Sequence, residues 1–397
     1  LKRLVIHIGI EKTGTTSLQH YLYLNEALLA EKGIGLLHCV GSPNNRQVAH
    51  YADSSQTQAP RVLRKQLADG SLNWRQMLRQ ELHAEVKAMP AHIHSVVVSS
   101  EHLHSRLRSL EEVRQVAELF DGLFETTDIV VYLRRQDKLA VSLFSTALRG
   151  GWHEADPLPK LGAGRLKYYD FADLLSRWAD VFDASHIKPR IFDRKSFING
   201  DLYADFLSTC GWPELIGALA IPPAKNEALS AVAATALLHL NKSVSAFLDD
   251  NEPQACKKLR KTMADELTIQ FPGAGLMPSR QQAEHFLADF AQSNLEVSRR
   301  WFNGVPIFDQ DFSTYPHEAL SLSLPTQALT VLMQTLVEYM RLVHVGRKGA
   351  DLGASLGDIS NDETNVRLLR KMAQKLRPIL PTLAERLQEI ARSLRKP

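Results

Sequence analysis

The chain has 397 residues, 44% of them hydrophobic and 23% charged, and a formal net charge of +3. This is the composition of an ordinary soluble globular protein; it excludes disordered, collagen-like and low-complexity classes, and the length allows one elaborated domain or two. Cys39, Cys210 and Cys256 lie far apart without CxxC spacing, so neither a zinc site nor a disulfide scaffold is indicated and a reducing cytoplasm is the expected compartment.

In chain order, the first element is a strand at Leu4–Ile8, followed by a Gly/Thr-rich knot and a helix over Thr16–Ala30. LKRLVIHI is too short for a signal h-region, and no apolar run approaches the length of a membrane span, so neither a leader nor a transmembrane segment is expected. Strands follow at Gly35–His38, Ser95–Ser99, Asp128–Leu133 and Ile187–Phe192. Helices are predicted between them at Trp74–Lys87, Leu110–Phe120, Lys138–Leu148 and Tyr169–Val181. GSPNN (Gly41–Asn45) and the stretch Gly150–Gly164 read as loops, the second long enough for a lid. Alternation of this kind predicts an α/β fold, a parallel central sheet with flanking helices, over residues 1–212.

After about Pro213 the pattern turns helical, in AVAATALLHLNKSVSAFL, ADELTIQF, QQAEHFLADFAQSNLEVSRRWF and ALTVLMQTLVEYMRLV, which predicts a mainly helical lobe or cap over 213–397, separate or part of the same domain. Its last segment spaces Leu380, Leu383, Leu387, Ile390 and Leu394 along one amphipathic stripe, suited to docking on the core or to contact with a second copy of the chain. From Arg341 to Pro397 there are 12 Lys/Arg against 6 Asp/Glu, a basic region that fits a solvated helical face or one turned to an anionic ligand, polymer or membrane surface. No nucleic-acid partner is expected.

The knot IGIEKTGTTS has the order strand, glycines, hydroxyls, helix that builds a phosphate-binding loop. A helix starting near Thr15 points unpaired N–H groups and the positive end of its dipole at the loop. Lys12 adds a full charge, and Thr13, Gly14, Thr15, Thr16 and Ser17 supply backbone and hydroxyl donors. The nucleotide triphosphate loop G-x-x-x-x-G-K-[ST] carries its lysine after the second glycine. Here Gly9 and Gly14 have that spacing, but Lys12 comes before Gly14. A triphosphate site also needs a magnesium-holding acid, whereas the strand VVYL ends in Arg134-Arg135. The ligand expected is therefore one whose charges are met by side chains, with no metal required. Ser142 follows Arg134 by eight residues, two turns into the next helix, and this pair suits a second, separate phosphate.

Together the two motifs resemble those of the sulfotransferases that use 3′-phosphoadenosine-5′-phosphosulfate (PAPS). In that family a K-[ST]-G-T-[TS] loop holds the 5′-phosphosulfate, and an Arg with a Ser eight residues later holds the 3′-phosphate. The KTGTT form is closer to the heparan N-sulfotransferase and bacterial carbohydrate types than to the cytosolic phenol and steroid enzymes. The resemblance is strong over 4–17 and 128–148, fair to Cys210, and thin beyond. It implies PAPS as donor, 3′-phosphoadenosine-5′-phosphate (PAP) as product and a carbohydrate-like acceptor. Arg347-Lys348-Gly349 matches an RKG tripeptide that touches the 3′-phosphate in cytosolic members, although ADLG follows it here. The same resemblance puts a catalytic base at the end of the strand Val96-Val97-Val98. Glu101 is the first choice and His102 the second, with His104 close by. A small-molecule or nucleotide kinase and a non-catalytic nucleotide-binding scaffold in polysaccharide assembly are the alternatives.

Overall fold

The computed structural model describes residues 2–53, 74–223, 229–245, 252–319 and 323–348, with isolated positions beyond. The amphipathic stripe from Leu380 to Leu394 and Gly349 lie outside the described residues. The chain divides into two compact units. One comprises Leu1–Ala140, Leu158–Asn226 and Arg280–Tyr315, the other Val141–Pro157, Glu227–Ser279 and Pro316–Pro397.

The first unit is built on a five-stranded sheet: β1 (Arg3–Ile8), β2 (Ile34–Leu36), β3 (Ser95–Ser100), β4 (Thr126–Leu133) and β5 (Ile187–Ile191). All pairings are parallel, in the order β2-β3-β1-β4-β5. Every residue of β3 is buried, as is β1 after Arg3. Strands covered on both faces read as continuous apolar runs, which is why VVV and LVIHI stand out in the sequence. Ile8 sits opposite Ser100 on β3 and Val131 on β4, so the strands on either side of β1 run level with its carboxyl end. The connection leaving β1 leads to β2 on one flank and that leaving β4 leads to β5 on the other. Such a switch point opens a crevice at the carboxyl edge of the sheet.

The helix predicted over Thr16–Ala30 is two helices, α1 (Thr15–Leu24) and α2 (Glu26–Glu31). Asn25 makes the break. Its side-chain amide donates to the carbonyls of Tyr21 and Ala220 at 2.8 and 2.9 Å, and its Oδ1 accepts from the Ala220 N–H at 2.8 Å. Next in the unit come α3 (Arg46–Ala52), α4 (Trp74–Ala88), α5 (His102–Ser105) and α6 (Leu110–Phe120). Helix α7 (Gln136–Arg149) continues from the first unit into the second. The loop predicted to end at Gly164 gives way at Ala163 to α8 (Ala163–Tyr169), and Asp170 then caps α9 (Phe171–Phe182). Helix α10 (Leu202–Thr209) is capped by Asp201. Val5, Leu18, Leu22, Val97, Val130, Phe206 and Trp212 form the core on one face. At the amino edge, Asp128 on β4 gathers Arg3, Lys188 and His186 at 2.7, 2.9 and 3.0 Å. Burial alone would raise the Asp128 pKa, but the hydrogen bonds from Lys188 and His186 and the charge of Arg3 bring it below its ordinary value.

Helix α11 (Ala231–Ser245) and α12 (Gln254–Gln270) belong to the second unit. The text QQAEHF to RRWF forms α13 (Arg280–Ala288) and α14 (Ala291–Trp301), which belong to the first. Helix α15 (Thr326–Lys348) returns to the second, where Leu237, Leu240, Met263, Leu267, Leu332, Leu336 and Tyr339 pack a separate core. Among the described residues no helix is long and apolar enough to cross a membrane.

His7 lies inside the sheet, its Nδ1 2.9 Å from the Ser99 hydroxyl and its ring edge-on to Tyr132 and Phe206. Burial pushes its pKa from 6.5 down to about 3. The unfolded chain takes up this proton below about pH 6.5 and the folded chain only near pH 3. The contribution of His7 to stability is therefore complete above 6.5 and declines as pH falls toward 3. Urea unfolding at pH 7, 6 and 5 should show stability dropping, with His7 contributing up to about 1.4 kcal/mol per pH unit. His7→Asn should flatten that slope, whatever it does to absolute stability; an unchanged slope would contradict a buried neutral imidazole.

Candidate anion-binding site at the carboxyl edge of the sheet

The segment between β1 and α1 is held by its own threonines. The carbonyl of Ile10 accepts from the Thr13 hydroxyl at 2.7 Å, the Thr15 hydroxyl at 3.1 Å and the Thr13 N–H at 3.3 Å. The Gly9 N–H ties the loop to β3 through the Ser100 carbonyl at 3.1 Å. Lys12 and Gly14 both have positive φ, +64° and +78°. At Lys12 that conformation costs roughly 1–2 kcal/mol, and the threonine bonds on either side hold it in place.

The beginning of α1, like those of α2, α3, α5 and α8, has no side-chain cap, in contrast to α6, α9 and α10. Ser109 caps α6 in a reciprocal capping box with Glu112, and Asp170 and Asp201 cap α9 and α10. Gly14, at the same position of α1, has no side chain to offer, and no side-chain hydrogen bond caps the helix. The first-turn N–H groups of a ten-residue helix thus face the crevice with the positive end of its dipole and no built-in acceptor. The sequence pattern leads us to expect the hydroxyls of Thr15, Thr16 and Ser17 to be ligand donors. Those of Thr13 and Thr15 are buried and bonded to Ile10, whereas Thr16 and Ser17 are exposed at the helix start.

Arg134 stands just past β4 and donates from Nη1 to the Lys12 carbonyl at 2.7 Å; its guanidinium also lies over the Phe192 ring, 5.7 Å from the centroid. Burial lowers its pKa, with the nearby Tyr315 and Asp137 acting in the opposite direction. A guanidinium has five N–H donors, so the bond to Lys12 leaves Arg134 able to meet an anion as well. The next residue, Arg135, is buried and forks onto the Asp137 carboxylate at 2.8 and 2.8 Å, and Tyr315 donates to the same carboxylate at 2.8 Å. This fixes the strand end from which Arg134 projects. Ser142 is half-buried on α7, in the part of that helix assigned to the second unit. Arg347 and Lys348 end α15.

On the other flank of β1, Glu101 follows β3 directly. Its Oε2 accepts from Gln19 Nε2 at 3.0 Å, and its Oε1 lies 3.5 Å from Asn44 Nδ2 and 3.7 Å from His102 Nε2. Gln19 also donates to the Ser99 carbonyl at 3.1 Å, so the helix that starts at the loop holds the strand end that carries Glu101. Burial lowers the His102 pKa, against the pull of the Glu101 charge, which leaves a neutral imidazole able to accept a proton. His104 differs from both. It is 2% exposed, its Nε2 bonds the Tyr168 carbonyl at 3.0 Å, and burial lowers its pKa to about 3, so it is enclosed rather than turned to a ligand. Sequence reasoning missed Gln19, Asn44 and Tyr168. Gln19 had one signal, its place one turn after Thr15 on the same helix face.

No family model matches the chain. An uncharacterized protein of Archaeoglobus fulgidus is 24% identical over 220 residues, covering 54% of this chain and 57% of that protein, so the match spans little more than half of its length. The crystal structure of a sulfotransferase from Alicyclobacillus acidocaldarius aligns with 75% of this chain and 99% of that one, at 14% identity and a TM-score of 0.31.

A side chain at Gly14 would have to adopt φ +78°, and its Cβ would collide with Leu202. Gly14→Ala should therefore lower unfolding free energy by about 1–3 kcal/mol, measured by urea denaturation. A loss below about 0.3 kcal/mol, within the scatter of ordinary surface changes, would contradict the left-handed turn.

Proposed function

We propose that the chain is a sulfotransferase that moves a sulfuryl group from PAPS to a hydroxyl or amine of a carbohydrate-like acceptor. The observation that carries this reading is the uncapped start of α1, entered through Lys12 and Gly14 at positive φ, with Arg134 of the neighbouring strand end on the Lys12 carbonyl. Cationic side chains and bare N–H groups gather at one point, as a doubly anionic donor requires. The resemblance of KTGTT and of Arg134 with Ser142 to the sulfotransferase motifs supports an adenosine 3′,5′-bisphosphate as that anion.

In this reading the first-turn N–H groups of α1, with Thr16 and Ser17, hold the 5′-phosphate. Lys12 offsets the charge that builds on the oxygen leaving sulfur. Arg134 takes the 3′-phosphate. Glu101 accepts the proton of the acceptor hydroxyl or amine as the new bond to sulfur forms, and His102 beside it is the second candidate for that role. Gln19 and Asn44 orient the Glu101 carboxylate. The donor supplies the activated sulfuryl group, and the protein supplies position and charge.

One observation favours the kinase reading. β1 has two neighbours, and although β4 ends in arginine, β3 ends in Glu101, a carboxylate where a phosphotransferase could hold magnesium. Nucleotide choice separates the two. Thermal-shift titration without metal should show PAP stabilising the protein more than ADP or ATP at equal concentration, since a ligand raises stability by its own binding free energy. Stabilisation by ATP that requires magnesium, with none by PAP, would support the kinase instead. Lys12→Ala and Glu101→Ala should each lower kcat by about 10²–10³, and Arg134→Ala should mainly raise the apparent KM for the donor. A nearly fully active Glu101→Ala would remove that carboxylate from the mechanism.

A further inference from the structure

The residue immediately before Lys12 is an acid, and a carboxylate next to a loop that receives an anion works against it. Glu11 is not left to itself. The Tyr168 hydroxyl donates to its Oε2 at 2.6 Å. Tyr168 in turn is gripped by the segment that follows the proposed base. The Arg108 guanidinium lies over its ring at 5.0 Å from the centroid, the His104 ring meets it edge-on at 4.5 Å, and His104 Nε2 bonds its carbonyl at 3.0 Å. Arg108 is itself held by the Ser105 carbonyl at 3.0 Å. Burial, and after it the Glu11 charge, raises the phenol pKa, so the hydroxyl keeps its proton and remains a donor.

We propose that Tyr168 is a positioning residue of the anion-binding loop. Its hydroxyl fixes the Glu11 carboxylate and takes up part of its negative charge, so that an incoming anion meets Lys12 and the first turn of α1 without competition from the acid beside them. The nature of that anion rests on the donor reading above; the ordering of the loop does not. Because Tyr168 is clasped by His104 and Arg108, the latch also joins the loop to the segment that begins with Glu101.

Tyr168→Phe removes only the hydroxyl and leaves the ring for Arg108 and His104. By calorimetry it should weaken PAP binding about tenfold, the size expected for one hydrogen bond to a charged group, and the rise in turnover assays should fall on the donor KM rather than on kcat. In a Glu11→Gln background there is no charge left to hold, so the same Tyr168→Phe change should alter PAP affinity by no more than about twofold. A tenfold loss in both backgrounds, or in neither, overturns the proposal. Hydrogen exchange of the loop over 9–14, followed by mass spectrometry without ligand, gives the second arm. Faster exchange in Tyr168→Phe supports the latch, and unchanged exchange overturns it. If the wild-type protein binds no PAP, the donor reading fails and the exchange result alone decides the latch.

Discussion

A single carbonyl, that of Ile10, organises the carboxyl edge of the sheet. Three donors from Thr13 and Thr15 converge on it, and this bends the chain so sharply that Lys12 and Gly14 adopt positive φ. The N-cap position of α1 falls on Gly14, which has no side chain to offer. The absence of a cap and the tightness of the loop thus meet at one residue, the left-handed glycine that closes the turn. A helix start is left polarised because the turn leading into it takes a glycine where a capping side chain would stand.

The strand ends on either side of β1 are finished in opposite ways. Past β4 the chain is basic, with Arg135 locked onto Asp137 so that Arg134 can lie against the loop. Past β3 it is acidic, with Glu101 tied back to α1 through Gln19. The crevice therefore has a cationic wall and a wall able to accept a proton, set by parallel strands whose ends are level. The proposed transfer between an anionic donor and a neutral acceptor would use that polarity, one reactant at each wall.

Much of this was legible in the sequence. The strands β1, β3 and β4 stand out through their apolar runs LVIHI, VVV and IVVYL, and the phosphate loop stands out because few other structures require KTGTTS after such a strand. What escaped depends on partners distant in the chain. EALLAE continues the helical pattern of the segment before it, and the break at Asn25 comes from hydrogen bonds to Ala220. Gln19 reads as a polar surface position yet is 3% exposed, since its partners Ser99 and Glu101, at the end of β3, adjoin α1 in space but lie eighty residues on in sequence. Arg134 was expected to face only a phosphate, and nothing local announces its bond to the Lys12 carbonyl. The order β3-β1-β4 is likewise a matter of tertiary packing, and it alone reveals that Glu101 and Arg134 end strands on opposite sides of the loop.

The Asp128 cluster lends the sheet a division of labour. At the amino edge one carboxylate collects Arg3, Lys188 and His186 from the strands beside it and their flanks, and holds them together. At the carboxyl edge Arg134 lies on the Lys12 carbonyl beside the uncapped start of α1. Because the two edges share strands but no side chains, a change in the Asp128 cluster leaves every contact of the loop over 9–14 in place.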